Sequence, residues 1–447
     1  MTRKTVHLGT KLPSFESAAD SVAETLEIDL TTKRVERLTE RIGRERVAER
    51  DLSVAEWEAL PLVEKLAAPA SVKAPAVVCV TCDGGRMQRC DLPEDAKSHW
   101  CETKVGALLE LEPNPHDSDP CPEVPDKFLD LAKMDELTRE IKCSVPKGTK
   151  FHKADTAVIG PAGAAESPAP PGPADQPAEL GSGPSQPGTT SAGPAAAAAA
   201  ESRDVVAAAR AEVVAEPPAV LGRDVVASLA DSERFGTLLA AAAWALGFAA
   251  AVLKAFVADG QAANWGIWKR QFKHLGFVPI LDFIHALTYV FAAAMAGHSR
   301  EQGGPVYQRW ITWVWQGEVA RVIAELAARA VELGVPPANA PETDPRQIVA
   351  DALTYLTNQQ SRMNYPAYRR MGLPITSSHI ESTIKQVNQR VKGSEKFWAG
   401  PGGEALLQLR GDQLSDTTPL APFWTRRAQR ATGTRSYRVQ RQSPMAA

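Results

Sequence analysis

Between about Pro161 and Pro218 the chain is dominated by Pro, Ala, Gly and Ser, with Pro168 to Pro173 and Ala195 to Ala200 as low-complexity pieces. Such a stretch cannot bury enough apolar surface to offset the entropy of ordering its backbone. A stray helix near Val205 to Val214 is the most order it is expected to hold. Any fold must therefore be assembled from two blocks, one on each side of this insertion. With 447 residues and a hydrophobic fraction of 44%, the chain can build a sizeable core from both.

The first block opens with a helical segment, about residues 1 to 75. Ser14 is placed to cap a helix that turns Ala18, Val22 and Leu26 to one face. After a short turn at Ile28-Asp29-Leu30, Thr31 or Thr32 starts a second helix with Val35, Leu38 and Ile42 inward. Its outer faces carry Lys33, Arg34, Arg37, Arg41 and Arg44. Helix, short turn and basic helix fit a helix-turn-helix-like DNA reader, with Lys33, Arg34 and Arg37 as phosphate contacts. Glu36, Glu40 and Glu45 interleave with these cations, so a solvated, ion-paired helix is the competing reading.

Strand signals follow. The run Ala76 to Val80 ends at Thr81-Cys82-Asp83-Gly84-Gly85, and Met87 to Cys90 and Lys104 to Leu111 are expected as the next two strands. Beyond the insertion, a helix from Ser232 to about Gly247 leads to a strand, Val252 to Ala258, that ends at Asp259-Gly260. A helix with Trp265, Trp268 and Phe272 comes next, then a strand from Phe277 to Leu281 ending at Asp282-Phe283-Ile284-His285. Residues 286 to 360 read as helical, with Trp310, Trp313 and Trp315 either in a core or stacking on a base. The apolar run Leu238 to Leu253 is too short for a membrane span of roughly 18 to 20 residues. Strands mixed with helices in this order predict an α/β fold with a mixed sheet.

Two strand-like runs thus each end in Asp-Gly. Neighbouring strand ends can aim two carboxylates at one point, and Gly lets a bulky substrate approach closely. Carboxylate oxygens suit hard divalent cations such as Mg2+ or Mn2+. Two such ions about 4 Å apart serve phosphoryl transfer. Glu381 can supply a third carboxylate from a helix that begins at Ser378 and ends near Gly393. Its buried stripe is Ile380, Ile384, Val387 and Val391, while Glu381, Lys385 and Asn388 share the neighbouring face. Ser378-His379-Ile380-Glu381 equally fits a capping box, in which Glu381 would only cap its helix. Asp117 and Asp119 sit in a Pro-rich acidic loop and are set aside.

The blocks Cys82-Asp83-Gly84-Gly85, Ala258-Asp259-Gly260, Ile280 to His285, Asn364 to Arg369, Gly372 to Ile375, Ser378 to Ser382, Val391-Lys392-Gly393 and Phe397-Trp398 occur in one order. Together they resemble bacterial insertion-sequence DDE transposases of the ISKra type, related to the Mutator-like superfamily, over most of residues 10 to 425. The resemblance implies a ribonuclease-H-like mixed-sheet core interrupted by an all-helical insertion. It implies a triad of Asp83, Asp259 and Glu381 holding two Mg2+ or Mn2+ ions. Asp282 and His285 match an auxiliary signature that helps position DNA or the second metal's surroundings, although a hydrogen-bonded core histidine is the plainer reading. Lys385, Arg390 and Lys392 would contact phosphates. Double-stranded DNA, as element ends and target, would be the partner of a homo-oligomer. Three features depart from the pattern: the long Pro/Ala insertion, the position of Asn264-Trp265 after Asp259, and a short N-terminal region.

The expected boundaries are 1-75 for the DNA-binding helices and 76-160 for the first part of the core. The Pro/Ala insertion takes 161-222 and the second part of the core 223-300. The helical insertion covers 301-370, the last core helix and C-terminal part 371-425, and a basic flexible tail 426-447. The formal net charge of -3 is low for a DNA enzyme, but Arg426, Arg427, Arg430, Arg435, Arg438 and Arg441 follow Pro422 without an intervening acid. Met1-Thr2-Arg3-Lys4 runs into polar sequence, so a cytoplasmic, nucleoid-associated protein without a membrane is expected. The 6 cysteines are then free thiols. Cys79 and Cys82 form a CxxC in an apolar run, where buried thiols are preferred to zinc. A repurposed, catalytically silent DNA-binding protein and a nuclease or resolvase that cuts without joining are the rivals to an active transposase.

Overall fold

The computed structural model describes residues 1–93, 98–141 and 218–430. The stray helix expected near Val205 to Val214 and most of the Pro/Ala insertion lie outside them.

The fold is α/β, built on a mixed six-stranded sheet in the order β3-β2-β1-β4-β5, with β6 pairing onto β1. The strands are β1 (Val77–Arg89), β2 (Trp100–Leu111), β3 (Val220–Ser228), β4 (Leu253–Ala258), β5 (Val278–Leu281) and β6 (Phe397–Trp398). β1, β2 and β3 form an antiparallel meander, whereas β4 runs parallel to β1 and β5 parallel to β4. The central strands read as apolar because both faces are covered. Val78, Val80, Phe256 and Val257 have no solvent exposure.

Two expectations about the meander are corrected. β1 does not stop at Asp83-Gly84; it runs on to Arg89 and absorbs the segment expected as a separate strand from Met87. The reason is pairing: β2 stays in register with β1 from Val77↔Leu111 to Gln88↔Trp100. Gly84 and Gly85 therefore make no turn. A Cβ on Gly85 would meet Thr103 Oγ1 at 2.6 Å and Asn388 Oδ1 at 3.1 Å, so this glycine admits a close overlying helix. β3 begins at Val220, within the range assigned to the insertion, because Lys104 to Leu111 needs a second antiparallel partner.

Around the sheet, Ser14 caps Phe15–Leu26 by accepting from Ser17 N–H at 3.0 Å, and Thr31 caps the long helix Thr32–Ala59. A helix at Thr2–Lys11 precedes them. Residues 283 to 370 form a helical block: Phe283–Met295, Arg300–Trp315, Val319–Leu333, Pro345–Gln359 and Tyr365–Arg370. Trp310 and Trp315 are 2% and 0% exposed, which makes them core residues and removes them as stacking platforms for a base. Trp313 lies half-buried under Arg321, whose guanidinium is 4.0 Å from the ring centre. At the C-terminal end, Arg426 and Arg427 are in the helix Leu420–Gln429 and pair with Glu49 and Glu45, so residues 426 to 429 are not a flexible tail; the rest of the tail expected from 426 lies, from 431 on, outside the described residues. Among the described residues, no helix is long and apolar enough to cross a membrane.

Candidate active site

Asp83 lies on β1, and Thr81 pairs with Val257 of the parallel strand β4. The pairing ends at that residue: β4 stops at Ala258 and Asp259 follows in the loop beyond it, where Asn264 contacts both Asp259 Oδ1 at 3.0 Å and the Cys82 thiol at 3.5 Å. Cys82 registers both carboxylates. Burial pushes its thiol well up, and the negative charges of Asp259 and Asp83 push it further.

The face can be identified. Asp83 and Gly85 are two apart on a regular strand and share a face. Gly85 is covered by Asn388, so the helix Ser378–Val391 lies over the Asp83 side of the sheet. Cys82 is on the other face, where its register partner Gly106 abuts Leu239. Cys79 and Cys82 therefore point to opposite faces, which excludes a shared ion. Cys79 is fully buried, with its thiol pushed up to about 12 by burial.

The helix Ser378–Val391 is strapped at both ends. At its start, Ser377 is the N-cap, and its backbone N–H and hydroxyl both donate to Asp282 Oδ2, with the N–H at 3.1 Å. At its far end, Gln88 Nε2 donates to Gly393 O at 2.6 Å, and β6 pairs beside it on β1. The helix thus spans from the end of β5 across to β1. Glu381 is one turn in from Ser377, about 6 Å along the helix axis. The cap also argues against the capping-box reading of Glu381. Ser377, not Ser378, is the N-cap, so Glu381 falls at the fourth helical residue rather than at the capping-box position.

Asp259 is 6% exposed and held on several sides. Its Oδ1 accepts from Gln261 N–H and Asn264 Nδ2, each at 3.0 Å. The Tyr355 hydroxyl donates to Asp259 O at 2.8 Å, and Gln359 Nε2 to Gly260 O at 3.1 Å. Gly260 has φ +95, and a Cβ there would meet the Tyr355 ring at 2.7 Å. Tyr355 is itself stacked on Tyr289 at 3.7 Å. The helical block therefore grips the loop that bears the second aspartate. Only Asn264 was quoted from the sequence; Tyr355 and Gln359 come from a helix far along the chain and carry no local signal.

The remaining expected residues divide. Asp282 has no exposure. It also accepts from Ile284 N–H at 2.7 Å and lies 3.3 Å from His285 Nδ1. It straps the start of the Glu381 helix, and His285 beside it is a core residue at 4% exposure. Lys385 and Lys392 are exposed, as are Arg34 and Arg37, while Lys33 pairs with Glu36 at 2.9 Å. Arg390 is corrected. It is 2% exposed, donates to Gly9 O at 3.0 Å and Pro13 O at 3.3 Å, and lies 4.3 Å from the Phe15 ring centre. Burial, aided by the charge of Arg410, pulls its pKa down to about 10. Such a group fastens the N-terminal helices to the core and cannot reach a phosphate. Arg390→Ala is expected to cost roughly 2–4 kcal/mol in urea unfolding. Unchanged stability with weakened DNA binding would restore a surface role.

Among the described residues, no group of three or more His, Cys, Asp or Glu side chains is arranged to hold a metal ion. Carboxylates are nonetheless the ligand type that a hard divalent cation takes. Mg2+ is usually held by one or two carboxylates, with water and substrate phosphate filling the other positions, and not by an all-protein cage. A cavity of about 650 Å³ lies elsewhere, between the long N-terminal helix and the Ser232–Ala245 helix, lined by Arg46, Trp57, Asp224 and Leu238. It contains none of the three acids. Comparison with family models, with curated proteins and with solved structures found no match.

Proposed function

We propose that the chain is a metal-dependent enzyme that cuts and joins DNA, a DDE-type transposase with a ribonuclease-H-like core. The reading is supported by the nearness of Asp83 and Asp259, whose negative charges both act on the buried Cys82 thiol, and by the helix Ser378–Val391 lying over the Asp83 side of the sheet. The sheet order supports it: an antiparallel meander continued by two parallel strands, with Asp83 on the central strand and Asp259 just past the end of its parallel neighbour. The helices between Arg300 and Arg370 would be the all-helical insertion that the sequence resemblance implies.

Asp83 and Asp259 would hold two Mg2+ or Mn2+ ions, with Glu381 completing one shell. Bound ions would lower the pKa of an attacking water or hydroxyl and neutralise charge on the leaving oxygen. The chain's own contribution is positional. Asn264 and Gln261 orient the Asp259 carboxylate, Tyr355 and Gln359 fix its loop, and Asp282 sets the angle of the Glu381 helix. Arg362 stands nearby, 4.4 Å from the Trp265 ring centre and bonded to Gln359 Oε1 at 2.6 Å. Among the described residues it has no carboxylate partner, so it would receive a substrate phosphate. Substrate would be double-stranded DNA at element ends and target, handled by a homo-oligomer at the nucleoid.

The test is incubation of the purified chain with Mg2+ and DNA carrying the sequences that flank its gene. Strand-transfer products are expected. Cleavage without joining would favour a nuclease, and DNA binding without cleavage a catalytically silent relative.

A further inference from the structure

The cations of the N-terminal helices are unevenly neutralised. Along Thr32–Ala59 Lys33 pairs with Glu36 at 2.9 Å, Arg44 with Glu40 at 2.7 Å and Arg46 with Asp412 at 2.9 Å, while Arg34, Arg37 and Arg41 are exposed and in no ion pair among the described residues. The helix Thr2–Lys11 contains no acidic residue at all, and Arg3, Lys4, His7 and Lys11 are exposed on it. Arg3, His7 and Lys11 recur every fourth residue and so form one stripe, with about 6 Å between steps.

A further cation joins the stripe from a distant part of the chain. Gln413 of the helix Gly400–Leu414 donates to His7 O at 3.0 Å, and Arg410 on the same helix donates to Gln413 Oε1 at 3.4 Å and to Gln386 O at 3.2 Å. Among the described residues, none of these cations is in an ion pair. His7 feels only like charge: burial lowers its pKa, and Lys11, Arg3 and Arg410 each lower it further. Crowded cations without counter-charge repel one another, and an incoming anion relieves that repulsion. No large apolar side chain between Arg3 and Lys11 is exposed, which argues against a membrane surface.

We propose that the Arg3–His7–Lys11 stripe, with Lys4 and Arg410 beside it, receives the phosphate backbone of double-stranded DNA. The Arg390 bonds to Gly9 O and Pro13 O tie this helix to the one bearing Glu381. A duplex on the stripe is thereby held to the frame of the carboxylate face. The inference takes its partner class from the proposed function, but binding needs no metal.

The experiment is fluorescence anisotropy of the full chain with a labelled duplex in EDTA, across a salt series. Arg3→Glu with Lys11→Glu should weaken binding at least tenfold and reduce the slope of log K against log salt by about 2, near 0.9 per lost contact. Arg321→Glu with Arg346→Glu changes net charge equally, but those cations are already paired with Glu318 and Asp344. That control should stay within twofold of wild type. Equal losses in both variants, no duplex binding by the wild type, or equal stripe-dependent binding to anionic vesicles would each overturn the proposal. If the Glu variants unfold, Arg3→Gln with Lys11→Gln should still lower the slope by about 2. Stripe-dependent binding without any strand transfer would sink the carboxylate reading alone.

Discussion

Asp259→Asn should abolish joining of DNA ends in Mg2+ while leaving the fold intact. Asn keeps the shape and can still accept from Gln261 N–H and from Asn264 Nδ2. It removes the charge that a divalent cation needs, so the loss should reach about 10³-fold or more, which is ~4 kcal/mol in the barrier. Duplex binding in EDTA should be unchanged or slightly tighter, because one negative charge is gone. Urea unfolding should move by less than about 1 kcal/mol. Joining activity within tenfold of wild type would remove Asp259 from the chemistry.

The largest expected effect on stability lies away from the carboxylates. Arg369 has no exposure, and its guanidinium forms a two-pronged pair with Asp119, with Nε to Oδ1 at 2.8 Å. It also donates to Trp315 O at 3.1 Å and lies 4.1 Å from the Trp315 ring centre. Asp119→Ala strands this buried cation and should cost roughly 3–5 kcal/mol. The loss should depend on pH in a stated direction. Burial raises the Asp119 carboxyl, but the bonds from Arg369 and from Cys121 N–H outweigh it and hold the group below the usual carboxylate range. A depressed folded-state pKa contributes stability that is fully present above the unfolded value, about 3.9, and is lost as pH falls through the folded value. The gap between wild type and Asp119→Ala in urea unfolding should therefore be widest near neutrality and shrink in acid. A gap below about 1 kcal/mol at neutral pH would mean that the pair is merely a surface contact.

Local patterns proved readable where a single element decides them. The strand before Asp259, the strand before Asp282, the Ser14 cap and the helix starting at Ser378 all follow from nearby residues. What failed depended on distant partners. Gly84-Gly85 reads as a turn, yet Thr103 and Asn388 use the second glycine as a packing groove. Ser378 reads as a cap, yet Asp282 recruits Ser377 instead, and that shift argues against the capping-box reading of Glu381. Arg390 sits on an exposed-looking face until Phe15, Trp398 and the carbonyls of Gly9 and Pro13 close over it. The helix Thr2–Lys11 has only Thr5, Val6, Gly9 and Thr10 buried, too weak a stripe to announce a helix. That its cations are all without an ion pair among the described residues, while Lys33, Arg44 and Arg46 on Thr32–Ala59 are paired, appears only in three dimensions.

The triad of Asp83, Asp259 and Glu381 is tested most directly by mapping where the chain holds a divalent metal. Iron(II) can replace Mg2+ in oxygen-ligand sites, and with ascorbate and peroxide it generates radicals that cut the nearby backbone. Full-length protein with duplex DNA and iron(II) should be cut near Asp83, near Asp259 and near Glu381, and excess Mg2+ should suppress all three cuts together. Mg2+-suppressible cuts at only one of these segments, or at none of them, would contradict the shared site.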